Sequence, residues 1–449
     1  MTYAPFEDPD PIPAYYADAG PPPPGEPFAG EHETTVVVIG GGFTGCSTAL
    51  HLAEQGVPVI LLEAKQIGAG ASSRNFGQVV PYLKPTHTQI RRDFPPAVAE
   101  RMITRIGNGP GTVFGIIERY GIACQPRRNG LLFAAHSPAG LKSLQARSEF
   151  WLARGENVPM YDEAETARLI GSRHYQACSI DYRGGTINPP GYVRGLAHAA
   201  IGNGARIFTD APVEGLGRID GRWEVRLPNG RVRADQVVLA TNAYTQSRLW
   251  PGLRESVIPV RGYALVSAPL SDNLRGSLLP GGQPLTDTRR THSGVRLNED
   301  GCMHSSTLGP PFDIEGEPDV EKLHRRIETV FPQLGRLDWR HRWTGWIALS
   351  QDHYPHLHNL APGVWAGLGY NGRGIAAATL MGQDLASHVL GRPVEETTFP
   401  VRDLRGWWMV PFARSVVAMG IASYRVQDAW DERQAKNARA RAAAAHASQ

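Results

Sequence analysis

The stretch that most constrains this 449-residue chain is residues 34–63. Thr34–Ile39 (TTVVVI) is a β-branched run without polar alternation, the pattern of a strand buried on both faces. A glycine turn follows, Gly40-Gly41-Gly42-Phe43-Thr44-Gly45, and Cys46–Gln55 then keeps helical spacing up to Gly56. Val57–Leu62 (VPVILL) reads as a second buried strand, closed by Glu63 with Ala64 beside it. Strand, turn, helix, strand and acid together make a βαβ unit. In the turn, Gly40 permits the tight bend, Gly42 admits a diphosphate to the backbone, and Gly45 lets the helix pack on the strand. The diphosphate then rests on the positive end of the helix. Glu63, 18 residues after Gly45, is placed to accept hydrogen bonds from both hydroxyls of an adenosine ribose. It would repel the 2′-phosphate of NADP.

A second glycine-rich turn chooses between the remaining dinucleotides. Val364–Leu368 reads as a strand, Gly369–Gly374 (GYNGRG) as a turn, and Ile375–Leu390 as a small-residue-rich helix. A cofactor as long as FAD explains two such turns so far apart. Its adenosine diphosphate rests on the first. The second helix points its N-terminus at the flavin, whose reduced ring carries negative charge.

Several stretches together carry a family resemblance: VVVIGGGFTGCSTALHLAEQG (36–56), GAGASSRNFGQV (68–79), GGTINPPGYVRGLAHAA (184–200), VVLATNAYT (237–245) and WTGWIALSQDHYPHLHNLAPGVWAGLGYNGRGIAAAT (343–379). The chain resembles the D-amino-acid oxidase/glycine oxidase/sarcosine oxidase superfamily of FAD-dependent oxidoreductases, and within it the γ-glutamylputrescine oxidoreductase branch. The resemblance implies an α/β fold with a discontinuous Rossmann-like FAD-binding domain. A second, α+β substrate domain is then built on a mainly antiparallel sheet. The expected FAD domain comprises 34–85, 175–245 and 345–400, the substrate domain 86–174 and 246–344. A Pro-rich arm (1–33) precedes them, and a C-terminal helix and tail (401–449) follows.

By position, the resemblance puts Ser72, Ser73, Arg74, Asn75 and Gly77 along the diphosphate and the flavin edge. Val213 meets the adenine through its backbone, and Ala240 and Thr241 cross beside the cofactor. Gly372, Arg373 and Gly374 surround the flavin pyrimidine. His304, Trp346, His353 and Tyr370 are the catalytic or pocket candidates, with Tyr263 as a further wall. The implied reaction oxidises a C–N bond by passing a hydride equivalent to flavin N5. The imine then hydrolyses, and oxygen or another carrier takes the electrons. No Cys or His occurs in Gly68–Val79, where relatives attach the flavin, so FAD is expected to bind non-covalently.

Two departures narrow this expectation. Glycine and D-amino-acid oxidases carry a carboxylate-clamping arginine after a sequence like Trp343-Thr344-Gly345-Trp346, where this chain has Ile347. Bidentate carboxylate capture needs a guanidinium fork. The expected substrate is therefore a small primary or secondary amine, or an amine with a remote polar group, rather than a simple α-amino acid. The second departure is a missing lysine over the flavin, for which His304 is the nearest counterpart. A buried neutral histidine is the more ordinary reading of that position. Oxidation of a 2-hydroxy acid or polyol, or flavin binding without turnover, stays open. Asp352-His353 with His356 and His358 invites a metal reading, but Pro355 limits convergence and no metal site is expected.

Composition sets outer bounds. All 46 Lys and Arg lie after residue 64, and only five are lysines: Lys65, Lys84, Lys142, Lys322 and Lys436. The first 64 residues therefore carry nine acids uncompensated, and an acidic front end can fold back on a basic body. Nine prolines in residues 1–33 predict an extended arm that Phe6, Tyr15, Tyr16 and Phe28 can anchor. Four scattered cysteines without a CxxC fit a reducing compartment. No signal peptide, membrane span or nucleic-acid-tracking basic block is apparent, so a cytoplasmic protein is expected. Trp407–Tyr424 is mostly apolar. It reads first as a helix buried on the body, otherwise as a dimer face or an interfacial membrane helix. Residues 432–449 read as a frayed helix or tail.

Overall fold

The computed structural model describes residues 14–16, 19–291, 293–308, 317–407 and 410–447. The chain divides into two compact units. One comprises Met1–Pro126, Ile187–Val260 and Gly345–Pro411, the other Arg127–Thr186, Arg261–Thr344 and Phe412–Gln449.

The first unit is organised on a parallel sheet. β1 (Gly30–Ile39) passes through the glycine turn into α1 (Phe43–Ala53) and β2 (Val59–Leu62). Further along come α2 (Pro189–Gly202), β3 (Arg206–Thr209), β4 (Gly230–Leu239), β5 (Val364–Leu368) and α3 (Gly374–Val389). The strands lie in the order β3-β2-β1-β4-β5, and every neighbouring pair is parallel. Val36–Ile39 and Val59–Leu62 are buried throughout, as their unbroken apolar runs require. α1 starts at Phe43, three residues before the expected point, because Gly42 already accepts the N–H of Cys46 at 2.9 Å.

Every residue of α1 except His51 is buried. The helix lies close enough to α3 for Ser47 Oγ to donate to the Thr379 carbonyl at 2.8 Å. That approach depends on Gly382, where a Cβ would meet Ser47 Cβ at 2.5 Å and Thr44 O at 2.8 Å.

Two helices, Pro96–Gly107 and Gly109–Tyr120, are joined at Asn108. Pro110 lacks an N–H and cannot continue the first helix's ladder. Both helices fall in the first unit rather than with the substrate segments. A Cβ at Gly109 would lie 3.1 Å from Ala376 Cβ on α3, which identifies the surface they cover.

The Pro-rich arm is tied to this unit. Glu26 and Pro27 pair in parallel with Phe208 and Thr209 of β3, and Arg194 donates to the Gly20 carbonyl. Phe28 is buried edge-on against Phe208, with ring centroids 5.2 Å apart, and Tyr16 is buried as well. Phe6 lies outside the described residues. Three acids of the front end meet arginines of the body: Glu26 with Arg206 at 3.6 Å, Glu31 with Arg231 at 2.6 Å and Glu33 with Arg222 at 2.9 Å. Exposed pairs of this kind contribute about 0–1 kcal/mol each. Burying one aromatic ring contributes about 1.5–3 kcal/mol. Phe28 therefore anchors the segment, and the ion pairs orient it.

The second unit holds a sheet in the order Met160–Tyr161, Cys178–Asp181, Leu131–Ala134, Leu285–Asp287, Ser293–Leu297, Cys302–Leu308, Val257–Pro269, Trp339–Ser350. Apart from the parallel pair of Leu131–Ala134 with Leu285–Asp287, the described pairings are antiparallel. The chain passes between units inside Val257–Pro269 and again inside Trp339–Ser350.

The C-terminal expectation needs correction. Trp408 and Met409 lie outside the described residues, and α4 runs over Ala413–Ala447. No described side chain of 410–424 is buried. Met419, Val426 and Trp430 are 64%, 70% and 62% exposed. The buried contacts come later, at Asp428 and Ala435, because an aspartate rather than the apolar run meets the unit's surface. No helix among the described residues is long and apolar enough to cross a membrane.

Gly382→Val should lower the unfolding free energy by about 2–3 kcal/mol, the cost of overpacking a close helix contact. Urea denaturation followed by circular dichroism measures it, and an unchanged midpoint would refute the assigned contact.

Candidate active site

The strand order changes direction at the C-terminal ends of β1 and β4, where an open parallel sheet offers a crevice for a ligand. Gly40 leaves β1 with φ +109°, and a Cβ there would meet Ala240 O at 2.8 Å. Ala240 closes the crossing by donating its N–H to the Ile39 carbonyl at 2.8 Å, and Thr241 Oγ1 pairs with Thr245 Oγ1 at 2.7 Å. A Cβ at Gly45 would lie 1.8 Å from Gly40 O, so no other residue fits.

Gly42 is the N-cap of α1 and offers its amides no side-chain acceptor. A Cβ at Gly42 would meet only Ser72 within 4 Å, its Oγ at 2.9 Å. The N–H of Phe43 donates to that same Ser72 Oγ at 3.0 Å.

Glu63 ends β2 under the turn. Its Oε2 accepts the N–H of Gly41 at 2.6 Å and its Oε1 that of Lys65 at 2.9 Å, with the Ala64 N–H adding a third donor. Burial pushes its carboxyl above the usual range, and the backbone donors oppose this. Val213 lies in the turn after β3, outside either flanking strand and partly buried.

The 70s loop is folded on itself. Asn75 Oδ1 accepts from Gly77 N at 2.9 Å, and its amide donates to Ala71 O and Ser72 O. Arg74 is buried, with Nε donating to Ala69 O at 3.2 Å, and a Cβ at Gly345 would meet Arg74 Cβ at 3.1 Å. Ser73 is fully buried, and its hydroxyl has no hydrogen-bond partner.

The second turn is held by Asn371, with φ +54°. Its Oδ1 accepts from Ser350 N at 3.0 Å and its Nδ2 donates to Gly369 O at 2.6 Å. Gly372 has φ +81°, and Gly374 starts α3, whose N-cap Arg373 gives no side-chain cap. The Tyr370 and Thr44 hydroxyls share a hydrogen bond at 2.5 Å, which ties this turn to α1.

A family model described as FAD dependent oxidoreductase matches residues 35–388. The chain belongs to that family. It is 31% identical over 404 residues to γ-glutamylputrescine oxidoreductase of Escherichia coli K12, covering 88% of this chain and 92% of that one. To glycine oxidase of Bacillus licheniformis it is 23% identical, over 80% and 94% of the two chains. The solved structure of glycine oxidase from Geobacillus kaustophilus superposes with a TM-score of 0.68 at 22% identity, covering 85% of this chain and 98% of that one.

The cradle fits FAD. An α1 N-terminus whose N-cap is a glycine without a side chain, the Ser72 hydroxyl beside it and the partnerless Ser73 hydroxyl suit an anionic diphosphate. Glu63 keeps acceptor capacity for a ribose.

The four catalytic candidates are divided between the units. Trp346 is buried in the core of the first unit, its backbone N–H donating to Tyr244 Oη at 3.4 Å. His353 and Tyr370 belong to that unit too. His304 lies in the second unit, fully buried opposite Arg296 on the sheet, its ring 5.4 Å from that of Trp343. Burial and the Arg296 charge hold its pKa well below the ordinary value. Both causes favour the neutral form of the His304 imidazole. Where the turn at 352–355 enters the strand His356–Ala361, Asp352 binds His356 at 2.9 Å and also pairs with Arg402, while His358 meets Arg402 O at 2.8 Å.

Lys84 escaped the sequence reading. Its side chain is exposed to solvent, and partial desolvation and the Arg373 charge push its pKa down. Lys84 in turn lowers that of His353, and Arg373 lies over the Tyr82 ring at 4.5 Å. Neither Lys84 nor Arg373 has a carboxylate partner among the described residues. Lys84 and Arg373 thus put two cations at the second turn, and burial and the Lys84 charge favour the neutral form of His353. The scarcity of lysine was the signal that could have drawn attention to Lys84.

Glu63→Gln should weaken FAD retention about 10–100-fold, since it removes the charge that strengthens these hydrogen bonds. Flavin content after dialysis tests this, and unchanged retention would exclude the ribose role. A second expectation concerns pH. A histidine whose folded pKa is depressed favours unfolding once the unfolded chain protonates, so stability falls below about pH 6.5. His304→Gln should remove on the order of 1 kcal/mol of the loss between pH 6.5 and 5.5. Urea titrations of both proteins at the two pH values measure it.

Proposed function

We propose that the protein oxidises the C–N bond of a small primary or secondary amine. The observation that carries this reading is an FAD cradle in a chain aligned over 88% of its length with a γ-glutamylputrescine oxidoreductase. FAD, when bound non-covalently, supplies the two-electron acceptor. Oxygen or an electron carrier takes the electrons onward, and the imine product hydrolyses to a carbonyl compound.

The chain's own groups account for binding and orientation. The α1 N-terminus takes the diphosphate, Glu63 the ribose, and Gly40 leaves room for the crossing backbone. Ile347 offers no guanidinium where a simple α-carboxylate would be clamped, which favours an amine over an α-amino acid. Lys84, Arg373 and the N-terminus of α3 add positive charge at the second turn, and this supports a substrate with a remote polar or anionic group. His304, neutral and buried, contributes no fixed positive charge.

Anaerobic mixing with a panel of amines, amino acids and 2-hydroxy acids tests the reading. Bleaching of the flavin band by an amine, with ammonia or a smaller amine released, is the expected result. Bleaching by a hydroxy acid alone would overturn it in favour of C–O oxidation. Flavin that no panel member bleaches would indicate a binding protein. Lys84→Met should raise KM about tenfold for amines bearing a remote anion and leave plain amines unaffected, the effect of one lost charged hydrogen bond.

A further inference from the structure

A cluster in the second unit is unrelated to the flavin cradle. His136 follows the strand Leu131–Ala134, immediately before Ser137, the N-cap of the helix Pro138–Leu152. It is 8% exposed. Its backbone N–H and its Nδ1 both meet Thr288 Oγ1, at 3.2 and 2.7 Å. Its Nε2 is buried and has no hydrogen-bond partner. That atom is 3.8 Å from Asp431 Oδ2.

Asp431 and Asp428 lie three residues apart on α4, so one helical face carries both. The His136 ring nitrogen and one oxygen from each carboxylate all lie within 4.8 Å of one another. An imidazole nitrogen stripped of water with no partner is costly. Its lone pair facing two carboxylates is the arrangement a cation resolves.

We propose that His136, Asp428 and Asp431 form a divalent transition-metal site, of the Zn²⁺ class, that clasps the C-terminal helix to its unit. One imidazole and two carboxylates match the donor preference of Zn²⁺ and its neighbours in the first transition row, whereas Mg²⁺ and Ca²⁺ prefer all-oxygen cages. With bonds of about 2.0–2.1 Å, tetrahedral ligands sit roughly 3.3 Å apart, so the three atoms need only a modest contraction. A proton on Nδ1 lets His136 donate to Thr288 and frees Nε2 for the metal, the usual outer support of a ligating histidine. Burial disfavours the imidazolium and keeps that lone pair available. Asp431 is 17% exposed, which leaves water a route to the fourth position.

The competing cation is Arg290. Its Nη1 lies 2.7 Å from Asp431 Oδ2 and 3.4 Å from Asp428 Oδ1. The Arg290 side chain is 39% exposed, so it can swing into solvent when a metal enters. Its backbone N–H, with the Thr291 N–H and hydroxyl, keeps Asp428 oriented at 3.0, 2.9 and 2.5 Å. Metal-free protein is then held by the guanidinium, and metal-bound protein by a tighter bridge between α4 and the 136–137 segment.

The test uses the full-length flavin-loaded protein, stripped with a chelator and titrated with Zn²⁺ against a chromophoric competitor. Co²⁺ spectra report the geometry. One equivalent should bind, with a rise in melting temperature and slower proteolysis of α4. Arg290→Gln should tighten binding at least tenfold, and His136→Gln or Asp431→Asn should each weaken it at least tenfold. Asp431 is partly exposed, so its variant reports even if the His136 variant fails to fold. Absence of stoichiometric uptake by the wild type would overturn the proposal. So would equal affinity in the wild type and Asp431→Asn.

Discussion

The first unit depends on one backbone crossing. Gly40 leaves β1 against the Ala240 carbonyl, and Gly45 brings α1 down onto Gly40 with no space for a side chain. Parallel strands present the C-terminal ends of β1 and β4 side by side, so the crossing, the α1 N-terminus and Glu63 meet at one edge. Small residues extend the same closeness outward. Ser47 and Gly382 let α3 approach α1, and the Tyr370–Thr44 hydrogen bond fixes the second turn relative to the first. The two glycine turns are thereby held by one stack of packed helices.

Charge is distributed by similar logic. The acids of the front end meet arginines on β3, β4 and the adjoining strand, but such exposed pairs are weak and Phe28 supplies the anchor. In the second unit one ionic cluster is buried, and pairing offsets its desolvation. Asp287 accepts from Arg289, Arg326 at 3.0 Å and Tyr175 at 2.9 Å, and the two guanidinium groups hold its carboxyl well below the usual range despite burial. In the first unit, Lys84 is an exposed cation without such a partner beside the second turn.

The elements legible in the sequence were those with a strong local period or a sterically forced turn. The strand-turn-helix-strand from Thr34 to Glu63 and the strand Val364–Leu368 emerged within a few residues of their expected limits. The Pro228-Asn229-Gly230 turn signal is equally local, and it joins the antiparallel strands Arg222–Leu227 and Gly230–Leu239. The helices over 96–120 were legible as helices but not as part of the first unit, because that assignment depends on contact with α3. The apolar run 407–424 misled for a related reason. Hydrophobic content does not say which face of a helix meets the body, and here Asp428 does.

By itself, the sequence determined a dinucleotide-binding βαβ unit and a second glycine turn, since glycine spacing and strand-forming runs act through local sterics. It also determined the absence of a guanidinium after Trp346, which is a matter of residue identity. Only the tertiary structure decided what lies beside what. Lys84, His353 and Arg373 converge though up to nearly 290 positions separate them. His136 meets a helix almost 300 residues away. Such meetings follow from how sheets and helices pack, and no local pattern in a chain records them.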